Sequence, residues 1–323
     1  MRHSTCLVTG AAGFIGSHLA DRLLASGRKV IGIDNLLLGT RANLKQAFKS
    51  TDFSFIEADV NDFDSNLRLL SAHASTGEID MVWHLAANSD IRAGTVDPEV
   101  DLRHTFLSTF NLLKAMRAFA CRRLAFASSS AIYGPHPGFI AEDAGPLQPI
   151  SNYGAMKLAS EGIISAALET SLDRAWIFRF PNVVGGRSTH GVIYDFLRKL
   201  QATPLELEVL GDGQQEKPYI HVSELVDAML FIQENAQDRL NSFNIGPDAS
   251  ATTVRQIAEA VVTKASPAAS IRYTGGAKGW PGDVPKFSYS IEKLRRLGWT
   301  PRLTSAQAVQ RAIEELIQDA EAG

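Results

Sequence analysis

The sequence has little of several features that mark particular classes of protein. Only two cysteines, Cys6 and Cys121, occur among its 323 residues. Two are too few for a disulfide framework, and no spacing of ligand residues indicates a metal site. The formal net charge is −3, so no basic field favours nucleic acid or an anionic membrane as a partner. No apolar run approaches the roughly 18 residues of a membrane span. We therefore predict no metal, no nucleic-acid partner and no membrane partner.

The start of the chain lacks a further feature. "MRHST" leads directly into a short apolar segment, without the apolar stretch and cleavage site of a signal peptide. We therefore expect a soluble, cytoplasmic protein. The hydrophobic content of 45% is enough for a sizeable core, and the length predicts one large domain or two unequal ones.

The first half of the chain alternates short apolar runs with helical patterns. Runs predicted as strands occupy 6–10, 29–34, 53–59, 81–87, 123–130 and 174–180. Helical patterns separate the later runs at about 99–119 and 152–170. This order is typical of right-handed βαβ units. It predicts an α/β fold with a Rossmann-type, doubly wound parallel sheet.

The rhythm changes after about residue 181. Turns rich in glycine and proline, such as "LGDGQQEKP" and "YTGGAKGWPGD", replace the regular alternation. We therefore predict a sheet domain over 1–180 and a smaller C-terminal lobe over 181–323. The lobe is expected to lie over the carboxyl ends of the strands, where α/β proteins bind ligands.

A glycine-rich turn indicates a dinucleotide site. "TGAAGFIGSHL" places Gly10, Gly13 and Gly16 between a predicted strand and a predicted helix. Glycines there permit a tight turn and let the backbone approach a pyrophosphate at the helix N-terminus. Asp34 ends the next strand, where a carboxylate would hold ribose hydroxyls and repel a 2′-phosphate. The pattern predicts NAD rather than NADP.

A second motif indicates proton transfer. "YGAMK" places Tyr153 and Lys157 one helical turn apart on one face. A tyrosine, with its reference pKa near 10, acts as a base at neutral pH only when a nearby cation stabilises the phenolate. Ser129 ends a strand that is expected to neighbour this helix. The three side chains therefore form a candidate proton-handling group.

Seven segments together carry a family resemblance along nearly the whole chain. They are, in order, "TGAAGFIG", "DNLLLG", "HLAA", "SSSAIYG", "YGAMK", "RFPNVVG" and "LGW". The chain resembles the extended short-chain dehydrogenase/reductases, specifically the NAD-dependent sugar-nucleotide epimerase/dehydratase family, and within it the UDP-glucose (UDP-galactose) 4-epimerases. The resemblance implies that Tyr153 is the catalytic base, Lys157 its partner and Ser129 the third catalytic member.

The resemblance and the strand ends also imply a set of binding residues. Those assigned to NAD are Gly10, Gly13, Phe14, Ile15, Gly16, Asp34, Asn35, Gly39, Asp59, Val60, Leu85, Ala86, Ala87, Ser128, Tyr153, Lys157 and Phe180. Those assigned to the substrate are Asn88, Ser129, Ser130, Asn182, Val192, Lys217, Trp280 and Asp283. Three positions depart from the family pattern: Lys217 and Trp280 stand where arginine is usual, and Thr105 stands where asparagine is usual. Lysine keeps the charge of arginine but loses its bidentate fork.

The residues after Ser129 bear on the reaction. Related dehydratases carry Asp-Glu after the catalytic hydroxyl, and decarboxylating relatives carry Glu in this segment, but this chain has Ser130-Ala131. The resemblance therefore implies 4-epimerisation of a UDP-hexose through a transient 4-keto sugar, with NAD recycled. Alternatives are an epimerase of a UDP-hexuronic acid or UDP-N-acetylhexosamine, or a keto-sugar-nucleotide reductase. A non-catalytic NAD-binding sensor is the alternative of another class.

Other residues are interpreted as structural. His84 is expected to be a satisfied strand-end histidine, and His221 also a structural one. The mixed charges of 152–170 are interpreted as a solvated face. By resemblance, this helix and 99–119 instead pair across a two-fold axis to make the four-helix bundle of a homodimer.

Overall fold

The structure is a computed structural model that describes residues 4–64, 67, 79–118, 120–136, 138–248, 250–276 and 287–322. The chain divides into two compact units. The first comprises Met1–Ile132, Ser151–Arg179 and Met229–Phe243, and the second comprises Tyr133–Ile150, Phe180–Ala228 and Asn244–Gly323. The boundary at 179/180 lies next to the predicted one. Two segments, however, lie in the opposite unit from the one predicted: Tyr133–Ile150 and Met229–Phe243.

The strands and helices are numbered along the chain. The strands are β1 (Thr5–Thr9), β2 (Lys29–Asp34), β3 (Phe53–Glu57), β4 (Ile79–His84), β5 (Arg123–Ala127), β6 (Phe139–Ile140), β7 (Arg174–Arg179), β8 (Asn182–Val184), β9 (Glu206–Val209), β10 (Glu216–Lys217), β11 (Tyr219–His221), β12 (Leu240–Asn244), β13 (Thr252–Thr253), β14 (Ser270–Tyr273) and β15 (Ser288–Tyr289). The α-helices with defined bounds are α1 (Phe14–Ala25), α2 (Ile91–Val96), α3 (Pro98–Asp101), α4 (Ser108–Ala118), α5 (Asn152–Ala167), α6 (Val192–Ala202), α7 (Val222–Asn235), α8 (Val254–Ala265), α9 (Glu292–Leu297) and α10 (Ser305–Ala322). A π-helical turn, Leu102–Leu107, joins α3 to α4.

The first unit is built on a seven-stranded sheet in the order β12-β7-β5-β4-β1-β2-β3. β1 lies between β2 and β4 and pairs with both in parallel. The winding therefore reverses beside β1, where α/β folds bind ligands at the carboxyl ends of the strands. The Leu7, Val82 and Leu124 side chains are almost fully buried, because helices cover both faces of such a sheet. The predicted Rossmann-type fold is confirmed.

One strand of this sheet was not predicted. β12 comes from the C-terminal half of the chain and pairs at the edge of the sheet with β7. Its sequence, "LNSFN", contains three polar residues, and only its first residue is exposed. The buried Asn241 donates a hydrogen bond from Nδ2 to the Ala175 carbonyl at 3.2 Å. An edge strand with this composition lacks the continuous apolar run on which the sequence prediction depends.

The second unit has its own apolar core. Helices α6, α8 and α10 pack around β9 and β11 through residues that include Phe196, Leu207 and Ile313. The short strands form separate two-stranded sheets: β8 with β11, β9 with β14, β10 with β13, and β6 with β15. Helix α8 begins at a capping box in which Thr253 and Gln256 satisfy each other's backbone N–H groups. No helix among the described residues is both long and apolar enough to cross a membrane.

Candidate active site

The glycine-rich turn after β1 leaves no room for side chains. Gly10 has φ +70°, and a Cβ there would lie 2.8 Å from the backbone nitrogen of Ala86. A Cβ on Gly16 would lie 2.0 Å from the Gly10 carbonyl oxygen. Gly13 is the N-cap of α1 and supplies no side chain to cap the helix. The first N–H groups of α1, including those of Phe14 and Ile15, are therefore available for an anion.

Asp34 holds the other side of this turn. Its Oδ2 accepts from the Ala12 N–H at 2.9 Å, and its Oδ1 accepts from the Leu36 N–H at 2.8 Å. Burial raises the pKa of the carboxyl, and these backbone bonds oppose the rise. A carboxylate offers about four lone-pair sites, so Asp34 keeps acceptor capacity for a ribose. The uncapped helix and this carboxylate fit a dinucleotide.

A brace behind the turn was not predicted. The Ala12 carbonyl accepts from Asn43 Nδ2 at 2.9 Å and from the Thr40 N–H at 3.1 Å. A Cβ on Gly39 would lie 2.7 Å from the Ala12 carbonyl carbon. Gly39 is therefore needed for close packing against the turn. No local pattern pointed to Asn43, because its contact joins segments 31 residues apart.

The other predicted cofactor residues lie mainly at strand ends of the first unit. Asn35 Nδ2 donates to Asp59 Oδ2 at 3.3 Å, and Val60 is buried. The Leu85 N–H donates to the Thr9 carbonyl, and the Ala86 N–H donates to the Thr9 hydroxyl. Ala87 follows Ala86 after β4, whereas Phe180 is buried in the second unit.

Ser128 uses both its backbone N–H and its hydroxyl in hydrogen bonds within the protein interior. It is fully buried, and its N–H donates to the Phe178 carbonyl at 2.8 Å. Its hydroxyl donates to Glu161 Oε1 at 2.5 Å. A contact between NAD and Ser128 would therefore have to use its backbone carbonyl rather than its side chain.

Ser129 and Tyr153 lie together at the start of α5. Ser151 begins this helix as its N-cap, and its hydroxyl accepts from the Gly154 N–H at 3.1 Å. Tyr153 therefore lies in the first turn. Burial raises the pKa of Tyr153 to about 12, and the hydrogen bond from Ser129 opposes the rise. Ser130 follows as the first residue of a 3₁₀ turn, Ser130–Ile132.

Lys157 lies one turn further along α5, with 2% of its surface exposed. Its Nζ donates to the Ala127 carbonyl at 2.6 Å and lies 5.7 Å from the centre of the Tyr153 ring. Burial lowers the pKa of Lys157 to about 7, and the charges of Glu161 and Asp101 oppose this. An ammonium in this position favours the phenolate of Tyr153. The structure thus brings Ser129, Tyr153 and Lys157 together.

Two buried acids near Lys157 were not predicted. Glu161 is 6% exposed and forms an ion pair with Arg179 at 2.7 Å. Asp101 is fully buried, and its Oδ1 accepts from Asn88 Nδ2 at 2.7 Å. The interpretation of 152–170 as a solvated face is therefore wrong for Lys157 and Glu161. The available signal was their spacing of four residues, the same as that of Tyr153 and Lys157.

The side chains of Asn88 and Thr105 have surroundings that the sequence did not indicate. Asn88, a predicted substrate residue, is buried, and its amide is bonded to Asp90 and Asp101. These bonds support a positioning role. Thr105 lies in the π-helical turn, and among the described residues its hydroxyl has no hydrogen-bond partner.

His84 is a structural residue, as predicted. Its Nδ1 hydrogen-bonds the Thr9 hydroxyl at 2.7 Å, and its Nε2 hydrogen-bonds the Thr109 hydroxyl at 3.0 Å. Burial and then the charge of Lys157 lower the pKa of His84 to about 3. The ring is therefore neutral at physiological pH and has both nitrogens occupied.

The remaining predicted substrate residues belong to the second unit. Asn182 begins β8, is exposed, and pairs in register with Tyr219 of β11. Lys217 lies in β10, two residues before Tyr219. Val192 is the first residue of α6, next to Gly191 with φ +104°. Trp280 and Asp283 lie outside the described residues.

Comparisons with known proteins agree with this geometry. A family model described as the NAD dependent epimerase/dehydratase family matches residues 6–246. The chain is 31% identical to the UDP-glucose 4-epimerase of Mycolicibacterium smegmatis over 95% of this chain and 97% of that protein. The Thermus thermophilus UDP-glucose 4-epimerase, solved with NAD, is 30% identical, with a TM-score of 0.83 and coverage of 96% and 98%. The Bacillus cereus UDP-glucuronic acid 4-epimerase, solved with UDP-glucuronic acid and NAD, is 25% identical, with a TM-score of 0.84 and coverage of 97% and 99%.

Proposed function

Because the chain belongs to the NAD-dependent epimerase/dehydratase family, we propose that it interconverts UDP-glucose and UDP-galactose by epimerisation at C4. NAD is its cofactor, and it is a sugar-nucleotide epimerase. The observation that carries the C4 proposal is the buried Lys157 next to the Tyr153 ring, together with a Ser129–Ile132 segment that contains no carboxylate. The site has one proton-handling tyrosine and no acid for elimination in that segment.

Each residue of the site has a separate role in the proposed reaction. Tyr153 takes the proton of the C4 hydroxyl and later returns it, with Ser129 bonded to the same phenol. Lys157 stabilises the phenolate that exists before the proton is taken and again after it is returned. NAD would supply the acceptor and then the donor of the C4 hydride, and C4 would invert because the transient 4-keto sugar turns its other face to the cofactor between the two transfers. The α1 N-terminus would hold the pyrophosphate of NAD, and Asp34 would hold a ribose.

The identity of the sugar is tested directly with purified protein and no added cofactor. UDP-glucose and UDP-galactose are incubated separately, and the C4 configuration is followed by proton NMR while absorbance at 340 nm monitors NADH. Interconversion without net NADH is expected. Conversion of UDP-glucuronic acid or UDP-N-acetylglucosamine alone would overturn the UDP-hexose assignment, and stoichiometric NADH turnover would instead indicate a reductase.

The role of Tyr153 is tested by removing one oxygen. Tyr153→Phe is expected to keep NAD binding and to lower turnover by about 10²–10⁴-fold, because the acid/base group is lost. Tyr273→Phe, which removes a tyrosine hydroxyl from β14 of the second unit, serves as the matched control and should retain turnover. Near-wild-type turnover in Tyr153→Phe would contradict the assignment.

We also propose a homodimer formed by the helical run 98–118 and α5 of two copies. Large apolar side chains on that run support it, because Leu102 is 43% exposed and Phe110 is 45% exposed. Light scattering after gel filtration should give twice the mass of the chain. Phe110→Asp should give monomers, whereas Leu205→Asp, at an exposed apolar position of the second unit, should not. A monomeric wild-type protein would disprove the proposal.

A further inference from the structure

We infer that Glu161 is a positioning residue for the proposed reaction: it holds Lys157 charged beneath Tyr153, and Arg179 and Ser128 hold Glu161 in place. This inference rests on the proposed function, since it concerns the same proton-handling group. It assigns a task to a buried carboxylate that lies one helical turn beyond Lys157 on the same buried face of α5.

The carboxylate of Glu161 is fixed by two neighbouring strands. Its Oε1 accepts from Ser128 Oγ at 2.5 Å and from Arg179 Nε at 3.0 Å, and its Oε2 accepts from Arg179 Nη2 at 2.7 Å. Ser128 directly follows β5, and Arg179 ends β7, which pairs with β5. Three bonds, two from the end of β7 and one from the residue after β5, leave the carboxylate little freedom.

The same bonds fix the position of Lys157. Its Nζ donates to the carbonyl of Ala127, and the next residue, Ser128, donates to Glu161. Lys157 and Glu161 are in turn joined through one turn of α5. The helix, the end of β5 and the two side chains therefore form a closed ring, and moving the carboxylate would move the acceptor of the ammonium.

Charges from each neighbouring element bear on Lys157. Tyr153 and Glu161 lie on α5, Asp101 on α3, His84 on β4, and Arg179 on β7, behind Glu161. His84 is neutral, so two cations face two acids. Asp101 acts on both partners, because its charge favours the ammonium but opposes the phenolate. Of the two acids, Glu161 raises the pKa of Lys157 more than Asp101 does.

A buried ion pair does not by itself imply a role in catalysis. Such pairs often contribute little net stability, whereas removal of one partner is costly because the other charge stays buried. Glu161→Gln alone would leave Arg179 uncompensated and confuse folding with function. The double substitution Glu161→Gln with Arg179→Met removes both charges at similar volume and separates the two effects.

The experiment compares the pH dependence of kcat and KM in the NAD-loaded enzyme. The double variant is expected to recover the thermal stability lost in Glu161→Gln, yet to have kcat at pH 7 about tenfold below wild type, with KM within about twofold. The alkaline limb of kcat should move down by about one pH unit, since Lys157 loses its proton more easily. Glu169→Gln, at an exposed acid just beyond α5, is the control and should match wild type.

A second measurement does not depend on turnover. Lysine side chains labelled with ¹³C at Cε report the titration of Lys157 by NMR in the NAD-bound protein, with Lys157→Met identifying the signal. The midpoint should fall by about one unit in the double variant. An unchanged midpoint and pH profile would overturn the inference, even in an active epimerase. Failure of the proposed function would instead appear as absence of epimerisation in wild type, with the shift in midpoint still present.

Discussion

Each unit contains a buried or half-buried glutamate bound to a basic side chain, and their neighbours differ. In the first unit, Glu161 bonds to Arg179 and Ser128 and lies one helical turn from the buried Lys157. In the second, Glu315 accepts from His221 Nε2 at 3.0 Å and from the Gly186 N–H at 2.9 Å. Both carboxylates are well satisfied. Only the first faces a titratable group of the proposed site, so hydrogen-bond count alone does not separate a chemical role from a structural one.

The setting of Glu315 explains its structural role. Burial alone would raise its pKa, but the hydrogen bonds from His221 and Gly186 and the charge of His221 lower it to about 2. Those bonds tie α10 to β11 and to the turn after β8. Asp319, one turn further along α10, accepts from the Arg187 N–H at 2.8 Å. Two carboxylates of one helix thus fix two consecutive backbone groups of that turn.

The largest effect is expected when Lys157, the neighbour of Glu161 in the proposed site, is removed. Lys157→Met takes away the cation that stabilises the Tyr153 phenolate, so kcat should fall by about 10²–10⁴-fold, as for other losses of proton-transfer catalysis. Steady-state assays of the NAD-loaded protein measure this. Lys264→Met, at a solvent-exposed lysine paired with Glu314, should leave kcat unchanged. A fall in kcat of less than about threefold in Lys157→Met would mean that Lys157 has no chemical role, and that Glu161 therefore has none through it.

Asp34 shares a feature with each of the two glutamates. Like Glu315 it accepts hydrogen bonds from backbone N–H groups, and like Glu161 it belongs to the proposed site. Asp34→Ala should weaken NAD binding about tenfold or more, since it removes a ribose acceptor and frees the Ala12 N–H. Isothermal titration of the apoprotein with NAD measures the change. Asp52→Ala, at an exposed acid before β3, should bind normally. Unchanged affinity in Asp34→Ala would mean that the carboxylate does not contact the cofactor.

The smallest effect concerns pH and the second unit. Because the folded pKa of Glu315 lies below its ordinary value of 4.5, its stabilisation is complete above pH 4.5 and is lost as the pH falls towards 2. Glu315→Gln should therefore lower the free energy of unfolding by about 1–2 kcal/mol at pH 6, and the difference should shrink on acidification. Urea titrations from pH 6 to 3 measure it. Glu314→Gln, at an exposed acid, should differ by less than about 0.5 kcal/mol. A difference that does not change with pH would contradict the ionic role.

Local pattern was enough to predict much of the first unit. The runs around Leu7, Ile31 and Val82 are apolar at consecutive positions, and each is a strand buried on both faces. The glycine spacing likewise predicted the tight turn, because Gly10 and Gly16 meet backbone atoms within the turn and after β4. These features depend on short segments or on a repeated strand–helix order.

Features made by distant segments could not be predicted in this way. Glu161 and Arg179 meet only once α5 packs on the sheet, and the pattern of charges does not say which face of the helix is buried. Asn43 reaches Ala12 through tertiary packing. The Rossmann prediction left β12 out because that strand has a half-polar sequence. In each case the deciding contact lies outside the window that periodicity examines.

β12 is the last of the seven strands of its sheet to be synthesised, and this has a consequence for synthesis and for truncation. A ribosome must make the chain up to residue 244 before the last strand of the sheet exists. Until then β7 is an open edge that other chains could join, and the Trp176 indole lacks its acceptor, the Ala236 carbonyl. A fragment cut after residue 180 should therefore aggregate, whereas one that keeps 229–244 by circular permutation or co-expression should stay dispersed. Chaperone demand during translation is expected to peak over the same interval.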